Sequence, residues 1–204
     1  MARRASLRRA GSWAGGPLGS RRSTSWNGSV SSLPRCIVEN PPPLDRTISP
    51  FLRLLVEIAR AEVDFAVVGG VAVCLNDHVR YTADADILVN PSQDNIKRLL
   101  AVLSQWGEGW ARELKPEEFV AQEGSICVSE EFDLDIFTQM RGRTLDDFRP
   151  RLRNFDAQGV RIPFLAPEDL IALKEGSWRE KDRWDVVELR RILAQRQPPN
   201  GPID

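Results

Sequence analysis

The residues best placed to do chemistry are Asp84 and Asp86, two carboxylates one residue apart at the head of the apolar run Ile87-Leu88-Val89. Ionised carboxylates beside a core are costly unless a cation compensates them. Side chains at i and i+2 of a strand point to the same side, roughly 6–7 Å apart. That separation lets two carboxylates share a pair of Mg2+ ions about 3.5–4 Å from each other. A donor set of oxygens alone suits such a hard cation. A third carboxylate on a neighbouring strand would complete the site. Residues 132–137, FDLDIF, alternate apolar and acidic side chains and place Asp133 and Asp135 on one face, with Asp135 the natural candidate. Upstream, the run Phe65-Ala66-Val67-Val68 stops at Gly69-Gly70. Without Cβ atoms this pair lets the backbone approach a triphosphate, and N–H groups at a helix start bind phosphate oxygens. Thr82 offers a hydroxyl to a phosphate or a base.

Each of these residues also has a plainer reading. Asp84 and Asp86 could be strand-end carboxylates bound to backbone or to Arg80. Asp135 could lie on the solvated face of an edge strand, and Gly69-Gly70 could be only a tight strand-to-helix turn. His78 reads as a loop histidine. Trp178 and Trp184 read as core or helix-packing residues rather than as a base-stacking platform.

The elements that must hold these side chains follow from apolar spacing. Ser49 and Pro50 suit a helix cap and first position, and Phe51, Leu54, Leu55 and Ile58 recur at helical spacing. Residues 63–68 predict a strand covered on both faces, and residues 71–75 a short helix. Residues 84–89 form the second strand. A helix opens after Pro91-Ser92 and presents Ile96, Leu99, Leu100 and Leu103. Residues 117–128 are ambiguous, with a hairpin through Gly124 as one solution. Residues 160–165 read as a further strand. Pro167, Glu168 and Asp169 start a helix with acids at the positive end of its dipole. Two terminal helices, 170–175 and 179–195, break near Gly176. The fold class is α/β (α+β): a small mixed sheet flanked by helices.

Composition narrows the classes. At 204 residues, 42% hydrophobic and 28% charged, the chain holds one globular domain with appendages. No apolar run is long enough to cross a membrane. Three scattered cysteines, Cys36, Cys74 and Cys127, argue against a disulfide framework and for a reducing compartment. The single histidine excludes a multi-histidine metal site.

Residues 1–35 hold seven arginines and no acid, which leaves residues 36–204 with a net charge of −8 against −1 for the whole chain. So acidic a body is not a general nucleic-acid binder by its field alone. The domain plan is therefore a disordered basic tail and Pro-rich linker over 1–45, a folded domain over 46–197, and a frayed end over 198–204. The tail has three readings: a transit peptide, a basic arm for RNA or anionic surfaces, or an extension without function.

A strand ending in Gly69-Gly70, a short helix, Arg80-x-Thr82-x-Asp84-x-Asp86 entering a strand, and a later acidic strand together resemble the nucleotidyltransferase fold. The subgroup they are most similar to is the small abortive-infection (AbiEii-like) nucleotidyltransferases of bacterial toxin–antitoxin systems. Asp135-Ile136-Phe137-Thr138 resembles that subgroup's third-carboxylate segment, which favours Asp135 over Asp133. Pro163 to Leu170, Leu173-Lys174 and Arg179-x-Lys181-Asp182-x-x-Asp185 extend the likeness, so that it covers roughly residues 50–195. The chain departs from the wider superfamily in having Gly69-Gly70 where Gly-Ser is usual, and in Val79 after His78 where relatives carry glycine.

The resemblance implies an enzyme that moves a nucleoside monophosphate from an NTP, ATP among them, to an acceptor hydroxyl and releases pyrophosphate. Two Mg2+ ions would be held by Asp84, Asp86 and Asp135. Lys174 would neutralise triphosphate charge, and Asp182 would orient Lys174 or the acceptor. It also implies a bacterial cytoplasmic setting, an acceptor among tRNA, protein or a small molecule, and an antitoxin protein as partner. The alternative is a nucleotide-binding regulatory module that keeps the fold and has lost turnover.

Overall fold

The computed structural model describes residues 49–196. The expected tail and linker (1–45), the residues around Ile48 and the expected frayed end (198–204) lie outside the described residues.

One mixed sheet of six strands organises the molecule. In chain order they are β1 Phe65–Val68, β2 Asp84–Val89, β3 Ser125–Ser129, β4 Asp133–Phe137, β5 Arg153–Ala157 and β6 Val160–Phe164. Their spatial order is β3-β4-β2-β1-β6-β5. The central strands β1 and β2 run antiparallel; β1 is parallel to β6 and β2 is parallel to β4. Antiparallel β3 and β5 form the two edges. Around the sheet stand helices α1 Pro50–Arg60, α2 Gly69–Leu75, α3 Gln93–Leu103, α4 Leu145–Phe148, α5 Pro167–Lys174 and α6 Glu180–Arg196. This is the mixed, helix-flanked architecture that the sequence predicts.

The central position of β1 explains its unbroken apolar sequence, since all four of its residues are buried. Helix α1 buries Leu54, Leu55, Val56 and Ile58, and α3 buries Ile96, Leu99, Leu100 and Leu103, in one continuous core with the strands. Fully burying such a side chain is worth about 1.5–3 kcal/mol. Asn95 fastens α3 to the sheet. Its side chain accepts from the Asp64 N–H at 2.7 Å and donates to the carbonyls of Asp64 (3.0 Å) and Asn90 (2.8 Å). These contacts join the entrance of β1 to the exit of β2.

Several local expectations are corrected. Ser49 stands at the N-cap of α1 without a side-chain cap bond; its backbone carbonyl accepts from Arg53 N–H instead. The first strand begins at Phe65 rather than at residue 63, and α2 begins at Gly69 rather than at residue 71. The ambiguous stretch does not fold into a hairpin at Gly124. It contains a single turn of 3-10 helix, Pro116–Glu118, and then β3, and the hairpin to β4 turns at residues 130–132. Strand β5 was not expected. Its alternation is weak because, as an edge strand, it keeps Asn154 and Asp156 in solvent. Trp178 and Trp184 are not core residues: they are 72% and 61% exposed.

Candidate active site

Pleating and register put four aspartates on one face. In the parallel β2–β4 ladder Asp84 lies opposite Asp133 and Asp86 opposite Asp135. Alternation then turns all four side chains the same way, while Ala85, Ile87, Leu134 and Ile136 fill the core behind them. Asp84, Asp86 and Asp135 are half-buried, whereas Asp133 is exposed. Strand β3 supports this face with small polar side chains. Ser125 Oγ donates to Asp135 Oδ1 at 3.0 Å and Ser129 Oγ donates to Asp133 Oδ1 at 2.5 Å. The signal for this support was present in the sequence as the period-2 pattern Ser125-x-Cys127-x-Ser129.

The glycine pair makes room for the acids. Gly69 has φ +59°, and a Cβ there would lie 1.8 Å from Asp86 Oδ2. A Cβ on Gly70 would lie 2.4 Å from Thr82 Oγ1. The Gly70 backbone N–H bonds to the Asp86 carboxylate. Thr82 Oγ1 donates to Asp84 Oδ1 at 2.8 Å. Gly69, Gly70, Thr82, Asp84 and Asp86 are therefore one assembly, built where β1 ends and β2 begins.

Electrostatics single out Asp86. Burial, then the charges of Asp84 and Asp135, push its carboxyl up to about 7, against a smaller downward pull from Lys174 and the Gly70 bond. Asp135 is also raised, chiefly by burial. These shifts mark buried negative charge that Lys174, the Gly70 N–H and the Ser125 hydroxyl compensate only in part. Burial and the nearby Asp135 charge raise the Cys127 thiol to about 11, so it is protonated at neutral pH and is no nucleophile. Among the described residues, no three carboxylate, histidine or cysteine side chains gather into a ready-made metal cage. Asp84, Asp86 and Asp135 share a face without closing into one.

Behind the acids lies a buried ionic knot. Lys174, at the end of α5, is 3% exposed; its Nζ donates to Asp182 Oδ1 at 2.8 Å and stands 3.0 Å from Asp185 Oδ2. Ser177 Oγ donates to Asp182 Oδ2 at 2.8 Å. Although burial raises the Asp182 carboxyl, the Lys174 bond and charge and the Ser177 bond hold it below its usual range. Asp185 also accepts both Nε and Nη2 of Arg80, at 2.6 and 2.8 Å. Asp182 and Asp185 thus pair with Lys174 and Arg80, which lie outside their own helix. Arg80 and Asp185 stand in the sequence motifs without an assigned place in the site, and Ser177 was not singled out there; the structure brings all three into the knot with Lys174 and Asp182. His78 Nε2 lies 3.8 Å from Asp185 Oδ1, at the margin of the knot.

A proposed nucleotidyltransferase of Thermotoga maritima has a similar structure: TM-score 0.40, 17% identity, 72% of this chain and 94% of that one covered. An antigenic nucleotidyltransferase-like protein of Paracoccidioides brasiliensis gives a TM-score of 0.39 at 15% identity, with 71% and 85% of the two chains covered. No curated protein matches the chain in sequence. One family model matches residues 47–194, the whole of the sheet and all but the last two residues of its helices, and by that match the chain belongs to the nucleotidyltransferases of unknown function, DUF6036.

Proposed function

We propose that this chain is an active, Mg2+-dependent nucleotidyltransferase that moves a nucleoside monophosphate from an NTP to an acceptor hydroxyl. One observation carries the reading: three carboxylates on two in-register strands, with Asp86 driven up to about 7 by burial and by the Asp84 and Asp135 charges, which Lys174 and the Gly70 N–H offset only in part. An inactive module has no reason to keep so costly an arrangement. The donor set fits Mg2+, being made of carboxylate oxygens with a hydroxyl alongside. Asp84 and Asp86 would hold both ions, and Asp135 would add its carboxylate to the second. Bound there, two ions would lower the pKa of the attacking hydroxyl and stabilise the attacking and leaving oxygens together.

The chain's own groups supply the remainder. Thr82 fixes Asp84, Ser125 fixes Asp135, and the Gly70 N–H fixes Asp86. Lys174, oriented by Asp182, brings positive charge behind Asp86, toward the triphosphate. The acceptor hydroxyl gives its proton to water as its oxygen bonds to the α-phosphorus, the bond from that phosphorus to the bridging oxygen breaks, and pyrophosphate leaves with the electron pair. The likeness to abortive-infection nucleotidyltransferases favours a toxin role with an antitoxin partner, and an RNA, protein or small-molecule acceptor.

Incubation with each α-labelled NTP, Mg2+ and total RNA or protein extract tests the reading. Label is expected in one macromolecular fraction or one small product, and is expected to vanish in an Asp84→Ala, Asp86→Ala double variant. Label that persists in that variant would sink the site assignment. NTP binding without any transfer would favour the regulatory module.

A further inference from the structure

The transfer chemistry does not call on Asp185, yet it is the most heavily engaged carboxylate in the knot and has no exposed surface. Its two oxygens take Arg80 Nε and Nη2 as a fork, at 2.6 and 2.8 Å. A fork of this kind fixes the plane of the guanidinium as well as its position. The third nitrogen, Nη1, is turned elsewhere. It donates to the Tyr81 carbonyl at 2.9 Å and lies 3.3 Å from the point where a Cβ on Gly70 would stand. Thr82 Oγ1, the partner of Asp84, lies 2.4 Å from the same point.

The missing side chain of Gly70 therefore lets Thr82 Oγ1 and Arg80 Nη1 pack over its backbone, so that the guanidinium is held next to the hydroxyl that binds Asp84. Nη1 has two N–H bonds and the Tyr81 carbonyl takes one. The Arg80 side chain keeps 18% of its surface exposed, and its Nη1 bond to the Tyr81 carbonyl lies on the exposed side. We propose that Arg80 contacts the phosphate chain of the NTP through Nη1, and that Asp185 is the positioning residue that aims it there. This assignment rests on the nucleotidyl-transfer reading of the site. The plainer alternative is a structural staple between α6 and the segment leading into β2, and the two differ in what their loss does. A staple supports the fold only; an aimed guanidinium also supports triphosphate affinity.

Binding of an α,β-methylene NTP and of inorganic tripolyphosphate to the full chain, by calorimetry in magnesium buffer, separates them when unfolding midpoints are measured alongside. Arg80→Lys keeps the charge but loses the fork, and is expected to bind both probes about tenfold more weakly. In turnover the same variant should show a raised KM for NTP and a kcat close to wild type. Arg80→Ala should lose affinity likewise and regain it with millimolar guanidinium, which can occupy the vacated place on Asp185. Asp185→Asn should bind weakly although Arg80 is present, and guanidinium should not restore it. If Asp185→Asn does not fold, Asp185→Glu replaces it, with the same expected weakening.

Folded Arg80→Lys and Arg80→Ala variants that bind both probes as wild type does would overturn the assignment and leave only the staple. Wild-type protein that binds neither probe would overturn the transfer reading, and this assignment with it.

Discussion

Asp86 carries the clearest consequence at the scale of single residues. Its carboxyl sits at about 7 in the folded protein because burial and the Asp84 and Asp135 charges disfavour ionisation. In the unfolded chain it returns to the ordinary range near 4. Between those values the folded state binds more protons than the unfolded one, so the Asp86 contribution to stability falls as pH rises from about 4 to about 7. Asp86→Asn removes that dependence. In metal-free buffer the variant is expected to unfold at a higher temperature than wild type at pH 8, to lose most of that advantage at pH 5, and to lack transfer activity at both. Calorimetric melts of the two proteins across this pH range check it; a variant less stable than wild type at pH 8 would contradict the account. Added Mg2+ should stabilise wild type more at pH 8 than at pH 6, because the ion and the proton compete for the same carboxylates. Gly69 gives a second test at this scale. With φ +59° and a virtual Cβ 1.8 Å from Asp86 Oδ2, Gly69→Ala strains the backbone and displaces the carboxylate together. A loss of more than about 1 kcal/mol is expected, read from urea unfolding, with transfer abolished.

Among the elements, α5 and α6 meet through a buried ion pair, and its energetics can be divided from its role. Removing one partner of a buried pair costs about 3–5 kcal/mol, while replacing both by apolar groups is often near neutral. Asp182→Ala is therefore expected to destabilise by about 3 kcal/mol, since Lys174 loses its closest partner and Ser177 its acceptor. A Lys174→Met, Asp182→Leu double variant should regain part of that loss in denaturant titrations, since Asp185 then loses Lys174 but keeps Arg80. If Lys174 serves only packing, activity should return with stability; the proposed role predicts that it does not. The same elements show what the sequence could and could not display. Strand β2, helix α3 and the acidic alternation in β4 were legible because one face of each is apolar at a fixed period. Strand β5 was not, because its polar residues face solvent at the sheet edge. The Arg80–Asp185 fork joins residues 105 positions apart, and no local pattern encodes so distant a pairing. The glycine pair was legible as a turn, but its reason, clearance for Asp86 and Thr82, needs the two strands side by side.

At the scale of the whole molecule, charge and chain extent make the last test. Residues 49–196 hold a continuous core, and no helix among the described residues is long and apolar enough to cross a membrane. A chain beginning at residue 46 is therefore expected to keep the unfolding midpoint of the full chain and its activity toward NTP at moderate salt. Such a chain loses seven arginines together with Glu39 and Asp45, and residues 46–204 carry a net charge of −6. An NTP is itself strongly anionic, so long-range repulsion should slow its approach to the shortened protein. Salt screens that repulsion beyond a Debye length of about 10 Å at 0.1 M. The kcat/KM of the shortened chain for NTP should consequently rise with ionic strength at constant free Mg2+, opposite in sign to a site with an attracting field. For the full chain, with a net charge of −1, the dependence should be flatter. Equal slopes for the two proteins would mean that the local cations, Arg80 and Lys174, govern the approach of the nucleotide and that the overall charge does not.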